Sequence, residues 1–170
     1  RALTSLEVAS LYNQGMPTNL LVNRNDYQSG NPTVFNTKQV DYDGADDYMV
    51  ANSTLGSFTG SVSTWVKRDT NTSYQFITDF RANSGTGAIY FDVDALTATS
   101  GTIYVDGVPE TSLSLDSKWH YIVVTGISLD ITQDIVFGAR HSKDQFYLNG
   151  QMSQVGLWNS TLTADEVSSL

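Results

Sequence analysis

Short runs rich in Val, Ile, Thr, Tyr and Phe recur along this 170-residue chain, separated by clusters of Gly, Asn, Asp and Ser. No long helical pattern falls between them. β-Branched and aromatic residues suit a pleated, half-buried surface, and the regular turn signals favour antiparallel strands. Strands are expected near residues 33–41, 47–52, 59–68, 74–81, 87–93, 102–106, 109–115, 119–126, 134–140, 144–149 and 151–158. Such a series defines an all-β sandwich or barrel. Two dipeptides read as hairpin turns, because Gly accepts the positive φ such turns require. One is Asp106-Gly107; the other is Asn149-Gly150, between Phe146-Tyr147-Leu148 and Gln151-Met152.

The alternation within strands separates sandwich centre from edge. In Trp119 to Thr125, one face carries Trp119, Tyr121, Val123 and Thr125, and the other His120, Ile122 and Val124. Both faces are largely apolar, as in a central strand of a two-layer fold. Val62, Thr64 and Val66 likewise share a face opposite Trp65. Met152, Val155 and Leu157 break the period of two, which predicts a β-bulge near Ser153-Gln154.

The two ends of the chain match. Leu3, Thr4, Glu7, Val8, Ser10 and Leu11 recur as Leu162, Thr163, Glu166, Val167, Ser169 and Leu170, at a constant offset of 159. A period that long is a whole domain, not a solenoid unit. Both copies carry Thr-x-x-Glu, the capping-box signature of a short helix. Residues 1–22 are therefore expected to be the tail of a preceding repeat, residues 23–32 a linker rich in Asn, Asp, Ser and Gly, and residues 33–170 one complete domain. The chain reads as a window on a tandem array.

Charge and composition exclude several functions. The net charge is −9 and the basic residues are scattered, so the basic stripe that nucleic-acid binding requires is missing. Zero cysteines rule out disulfides and thiolate chemistry. No apolar run approaches the roughly 20 residues that span a bilayer. Sequons at Asn52, Asn71 and Asn159 read as coincidence in a chain this rich in Asn, Ser and Thr.

A set of motifs in fixed order adds a family resemblance. Val40-Asp41-Tyr42-Asp43-Gly44-Ala45-Asp46-Asp47-Tyr48-Met49 is followed by Phe58-Thr59 and Ser63-Thr64-Trp65-Val66-Lys67. Ile103 to Gly107, Trp119 to Thr125, Ile135 to Arg140 and Phe146 to Gly150 come next. Val155-Gly156-Leu157-Trp158-Asn159 then leads into Leu162-Thr163 and Glu166-Val167. This order resembles the laminin-G-like branch of the concanavalin A-like lectin/glucanase superfamily over residues 33–170. The resemblance implies a jelly-roll β-sandwich of two curved antiparallel sheets with a short C-terminal helix. Tandem copies with this exit segment resemble modules of large structural proteins in tailed phages and of bacterial surface proteins.

Glucanases of that superfamily use a Glu-x-Asp-x-(x)-Glu strand, which this chain lacks. Glu7 and Glu166 belong to the capping boxes, and Glu110 follows a turn. Asp92 and Asp94 are expected on one face of a strand end, at a spacing imaginable for an inverting carboxylate pair, although a solvated strand end explains them more simply. His120 reads as a hydrogen-bonded strand histidine and His141 as a loop residue. The expectation is a non-catalytic domain.

Many relatives hold a calcium ion through Asp, Asn and carbonyl oxygens. The acidic cluster Asp41, Asp43, Asp46 and Asp47 around Gly44 is the matching candidate, with Asp43, Asp46 and Asp47 as metal ligands; a turn in which Asp43 and Asp46 accept backbone bonds is the alternative. No cofactor is required. For glycan contact, Tyr74, Trp65 and Trp158 are the aromatic candidates, with Trp65 and Trp158 at positions the resemblance makes core. The expected function is a lectin-like structural or adhesion module of a tandem-repeat virion protein (capsid decoration, tail or fibre). Its partners would be other repeats, other virion or surface proteins, and cell-surface glycans, on the virion surface or outside the cell. The alternative is a carbohydrate-binding accessory module of a secreted bacterial adhesin or glycoside hydrolase.

Overall fold

A computed structural model describes residues 39–51, 55–81 and 85–170. The expected repeat tail, the linker and the start of the first strand lie outside the described residues. Among the described residues, eleven strands form two antiparallel sheets. The six-stranded sheet runs in the order β1 (Val40–Asp43), β11 (Asn149–Trp158), β3 (Gly56–Arg68), β9 (His120–Ile131), β7 (Thr102–Val105), β8 (Val108–Pro109). The five-stranded sheet runs β2 (Met49–Ala51), β10 (Ile135–Phe137), β4 (Ser73–Asp79), β5 (Ala88–Asp92), β6 (Ala95–Ala98). The described residues form an all-β sandwich with one short C-terminal helix, Ala164–Val167.

The core lies between the sheets. Val62, Val66, Ile103, Ile122, Val124 and Met152 from one sheet meet Ile77, Ile89, Phe91, Leu96 and Ile135 from the other. Tyr42 packs so closely on Gly138 that a Cβ there would lie 2.2 Å from the ring, at a backbone φ of +79°. Burial, with help from Asp47, pushes the Tyr42 phenol up to about 12.

Bulges determine which side chains face inward. In β9 the pairing slips at Gly126, so that Ser61 faces Thr125 while Gly60 faces Ile127. Before the slip the even-numbered Ile122 and Val124 point into the core; after it the odd-numbered Ile127, Leu129 and Ile131 do. The bulge expected near Ser153-Gln154 is present: the β11–β3 register shifts between Ser153 and Gly156, and Gln154 has φ +51°. Leu157 is thereby returned to the core side.

The opposite face of β9 is covered by the C-terminal segment. Val167 and Leu162 pack on Tyr104, Val123 and Tyr121. Thr163 caps the helix as a full capping box: its N–H donates to Glu166 Oε2 at 2.7 Å, and Glu166 N–H donates to Thr163 Oγ1 at 3.3 Å.

Several expectations are corrected. Asp106-Gly107 does form the β7–β8 hairpin, with φ +51° and +81° and Val105 opposite Val108. Asn149-Gly150 does not turn; both residues open β11 against Arg68 and Asp43. The strand expected at 144–149 is irregular up to Leu148, with Asn149 opening β11, and it is bound to β4 through Phe76 N–H to Phe146 O at 3.1 Å. The strand expected at 109–115 shrinks to Val108–Pro109, followed by a lone bridge from Ser112 to Ala95. β6 was not expected at all.

Candidate ligand-binding face on the five-stranded sheet

Two irregularities in β4 create an aromatic surface. Asp92 pairs with Ser73 and Phe91 with Gln75, which leaves Tyr74 as an extra, bulged residue at φ +57°. Ile77 and its cross-strand neighbours Ile89 and Phe91 face the core between the sheets, whereas Phe76, itself buried, and its half-buried partner Tyr90 lie on the other side of the sheet. Phe76 and Tyr90 stack at 4.9 Å between centroids. Tyr74 lies 6.0 Å from Tyr90 and 5.3 Å from Phe146, and Phe146 lies 6.0 Å from Phe76. Tyr74 is 43% exposed. Phe146 is also held at positive φ, +63°. Bulky side chains in this backbone region carry strain of order 1–3 kcal/mol each and concentrate at ligand clamps and active sites.

Two guanidinium groups flank these rings. Arg81 sits over Phe76 at 5.4 Å and Arg140 over Phe146 at 6.0 Å. Arg81 is held from beneath by Asp79, which is fully buried. Its Nε donates to Asp79 Oδ1 at 2.8 Å and its Nη2 to Oδ2 at 2.6 Å. The hydrogen bonds to Asp79 outweigh burial and raise the Arg81 pKa. His141 adds its backbone N–H at 2.9 Å and Nδ1 at 3.3 Å to Asp79 Oδ2. Asp79 therefore carries no spare acceptor toward solvent. The surface offers apolar ring faces beside fixed N–H donors, the combination that small polar ligands need.

The expected aromatic trio is divided between the sheets. Tyr74 belongs to this face. Trp65 meets Tyr121 at 5.1 Å with the two rings tilted by 34°, and the Trp158 ring lies over Gly156. Both tryptophans are half-buried on the outer side of the six-stranded sheet, not in the core between the sheets. The sequence reading did not single out Tyr90, Phe76, Phe146, Arg81 or Arg140. The alternation of Phe76 and Tyr90 against core Ile77, Ile89 and Phe91 was the available signal.

The acidic loop is a self-contained turn. Asp43 Oδ1 accepts from Ala45 N–H at 2.8 Å and from Asp46 N–H at 3.4 Å, and Asp47 Oδ2 accepts from Asp43 N–H at 3.1 Å. Carboxylate oxygens of Asp43, Asp46 and Asp47 lie within 4.8 Å of one another and are exposed. Such hard oxygens match the donor chemistry of calcium, while the turn's own hydrogen bonds already account for the cluster. Asp41 stands apart, accepting from Gln39 Nε2 at 3.4 Å. Asn149 turns its NH₂ to Asp43 O at 2.9 Å.

Asp92 and Asp94 do not share a strand face. β5 ends at Asp92, and Val93 and Asp94 form the two-residue turn into β6, with Asp92 opposite Ala95. Asp94 lies 3.5 Å from Arg68. Glu110 Oε1 is occupied by the N–H groups of Thr111 and Ser112 and by the Ser112 hydroxyl, which lower its pKa. An open cleft beside β6 and β7, lined by Leu96, Ala98, Ile103 and Pro109, has no aromatic face.

No protein-family model matches the chain, and a search of curated proteins returns no match.

Proposed function

We propose that this domain is a non-catalytic, lectin-like module that contacts glycans through the outer face of β4 and β5, within a large tandem-repeat virion or surface protein. The observation that carries this reading is Tyr74: an exposed ring in a strained backbone position, grouped with Tyr90 and Phe146 beside two arginines. Sugar rings present C–H faces that stack on such surfaces, and their hydroxyls take N–H donors. The two-sheet sandwich agrees in class with the laminin-G-like jelly roll that the motif order resembles, and a shared fold alone assigns no activity. The commitment of Asp79 to Arg81 and His141, and of Asp94 to Arg68, supports a binding role over acid–base catalysis. Calcium enters as an accessory at Asp43, Asp46 and Asp47, not as a requirement.

The test is a glycan array run with and without calcium, on the intact chain and on Tyr74→Ala. At least one glycan class is expected to bind, with about tenfold weakening in the variant. Circular dichroism checks that the variant folds. Retention of full affinity by folded Tyr74→Ala, or an empty array, rejects the reading.

A further inference from the structure

Among the described residues, Lys67, Arg68, Arg81, Lys118 and Lys143 each pair with a carboxylate, on Asp69, Asp94, Asp79, Asp116 and Asp134 respectively. Arg140 is the exception. It makes no ion pair or side-chain hydrogen bond among the described residues, although the chain carries a net charge of −9. A cation that no carboxylate engages is available to an anionic partner.

Its surroundings supply the rest of a site. Arg140 lies over Phe146, whose ring is 6.0 Å from Phe76, and Phe76 carries Arg81 on its own face. Arg81 spends Nε and Nη2 on buried Asp79, and its Nη1 has no partner among the described residues. Asp79 is taken by Arg81 and His141, Asp134 by Lys143, and Asp144 by the Ser142 hydroxyl; Asp92, two residues beyond Tyr90 on β5, pairs with no cation among the described residues. Guanidinium forks match carboxylate and sulfate oxygens in pairs.

We infer that the β4–β5 face binds an anionic saccharide, with a uronate carboxylate or a sulfate ester seated on Arg140 and the spare edge of Arg81, and the sugar ring against Tyr74 and Tyr90. This rests on the glycan reading above and specifies its ligand class. Arg140 selects the charged sugar; the rings bind sugar of either kind. Attraction to Arg140 weakens as salt rises.

The experiment compares polysaccharides that share a backbone and differ in charge: polygalacturonate against its methyl ester, and dextran sulfate against dextran. Binding is measured by calorimetry on the intact chain, on Arg140→Gln and on Arg140→Lys. Because Arg140 supports no buried carboxylate, its replacement leaves the fold intact, whereas Arg81 variants would orphan Asp79. At least tenfold preference for one charged member of a pair is expected. That preference should fall with salt, disappear in Arg140→Gln and survive in part in Arg140→Lys. Equal binding of charged and neutral members, or a preference that persists in Arg140→Gln, overturns the inference and leaves the glycan reading standing. Failure to bind any of the four polymers overturns the inference, and an empty array then removes the glycan reading as well.

Discussion

Arg68 is a cation placed where few charges go: its side chain is 3% exposed. It extends from the end of β3 over the Phe91 ring at 4.1 Å. Nη1 donates to Val93 O at 2.6 Å, and Nη2 donates to Leu113 O and lies 3.5 Å from Asp94 Oδ1. Burial pulls its pKa down and Asp94 opposes that pull, yet arginine stays protonated throughout the accessible range. The side chain thus ties one sheet to the β5–β6 turn and to the loop after β8. It also accounts for Val93, a β-branched residue held at φ +56° with its carbonyl turned to the guanidinium. Arg68→Met keeps most of the stem and leaves two carbonyls without their charged donors. The expected loss is about 3 kcal/mol, read as a lower urea midpoint at unchanged slope. A loss below about 0.5 kcal/mol would show that water replaces the guanidinium at no cost.

At the scale of elements, the C-terminal segment gives the sharpest expectation. Its helix is a single turn, too short to be stable alone, so the capping box and Val167 must hold it to β9 and β7. Thr163→Ala should cost about 1 kcal/mol in equilibrium unfolding, and Thr163→Ser should recover most of it. If the variant frays the helix by circular dichroism while the global midpoint stays fixed, the segment is not part of the cooperative unit. This helix was legible in advance because Thr163 and Glu166 act within four residues. The alternation of β9 was legible up to Gly126 and no further. There the bulge exchanges odd for even, so the reading ended the strand at 126 although it continues to Ile131. Asn149-Gly150 misled because the local turn signal was overruled by pairing with Arg68 and Asp43, residues distant in sequence. Tyr74 was visible as an aromatic after a polar loop. Its companions were not, because Phe146 joins it from beyond β10, and only the folded sheets bring Arg81 and Arg140 to the same face.

At the scale of the whole molecule, protonation and connectivity both matter. His120 stands between Asp106 of the β7–β8 hairpin, at 2.7 Å from Nδ1, and Asp116 of the following loop, at 3.1 Å from Nε2. Lys118 Nζ also faces Asp116 at 3.2 Å, and Arg68 is near enough to feel its charge. Burial works against the imidazolium, but the two carboxylates prevail and raise the His120 pKa above its ordinary 6.5. The His120 hydrogen bond and the Lys118 N–H hold Asp116 down to about 2. The stabilisation due to His120 is therefore complete below pH 6.5 and fades as pH climbs through its raised folded value. The contribution of Asp116 is complete above pH 3.8 and fades as pH falls toward about 2. Thermal midpoints measured against pH should decline above 6.5 in the unaltered chain, and His120→Gln should flatten that limb. A variant that keeps the same decline would assign it to other groups.

The ladder between β1 and β11 sets Val40 opposite Met152 and Asp43 opposite Asn149, so the start of one strand and the finish of the other point the same way. Tension applied at those two points would peel the pair apart one hydrogen bond at a time, not shear every rung together. The edge of the six-stranded sheet should therefore be the first part of the domain to give way under mechanical load.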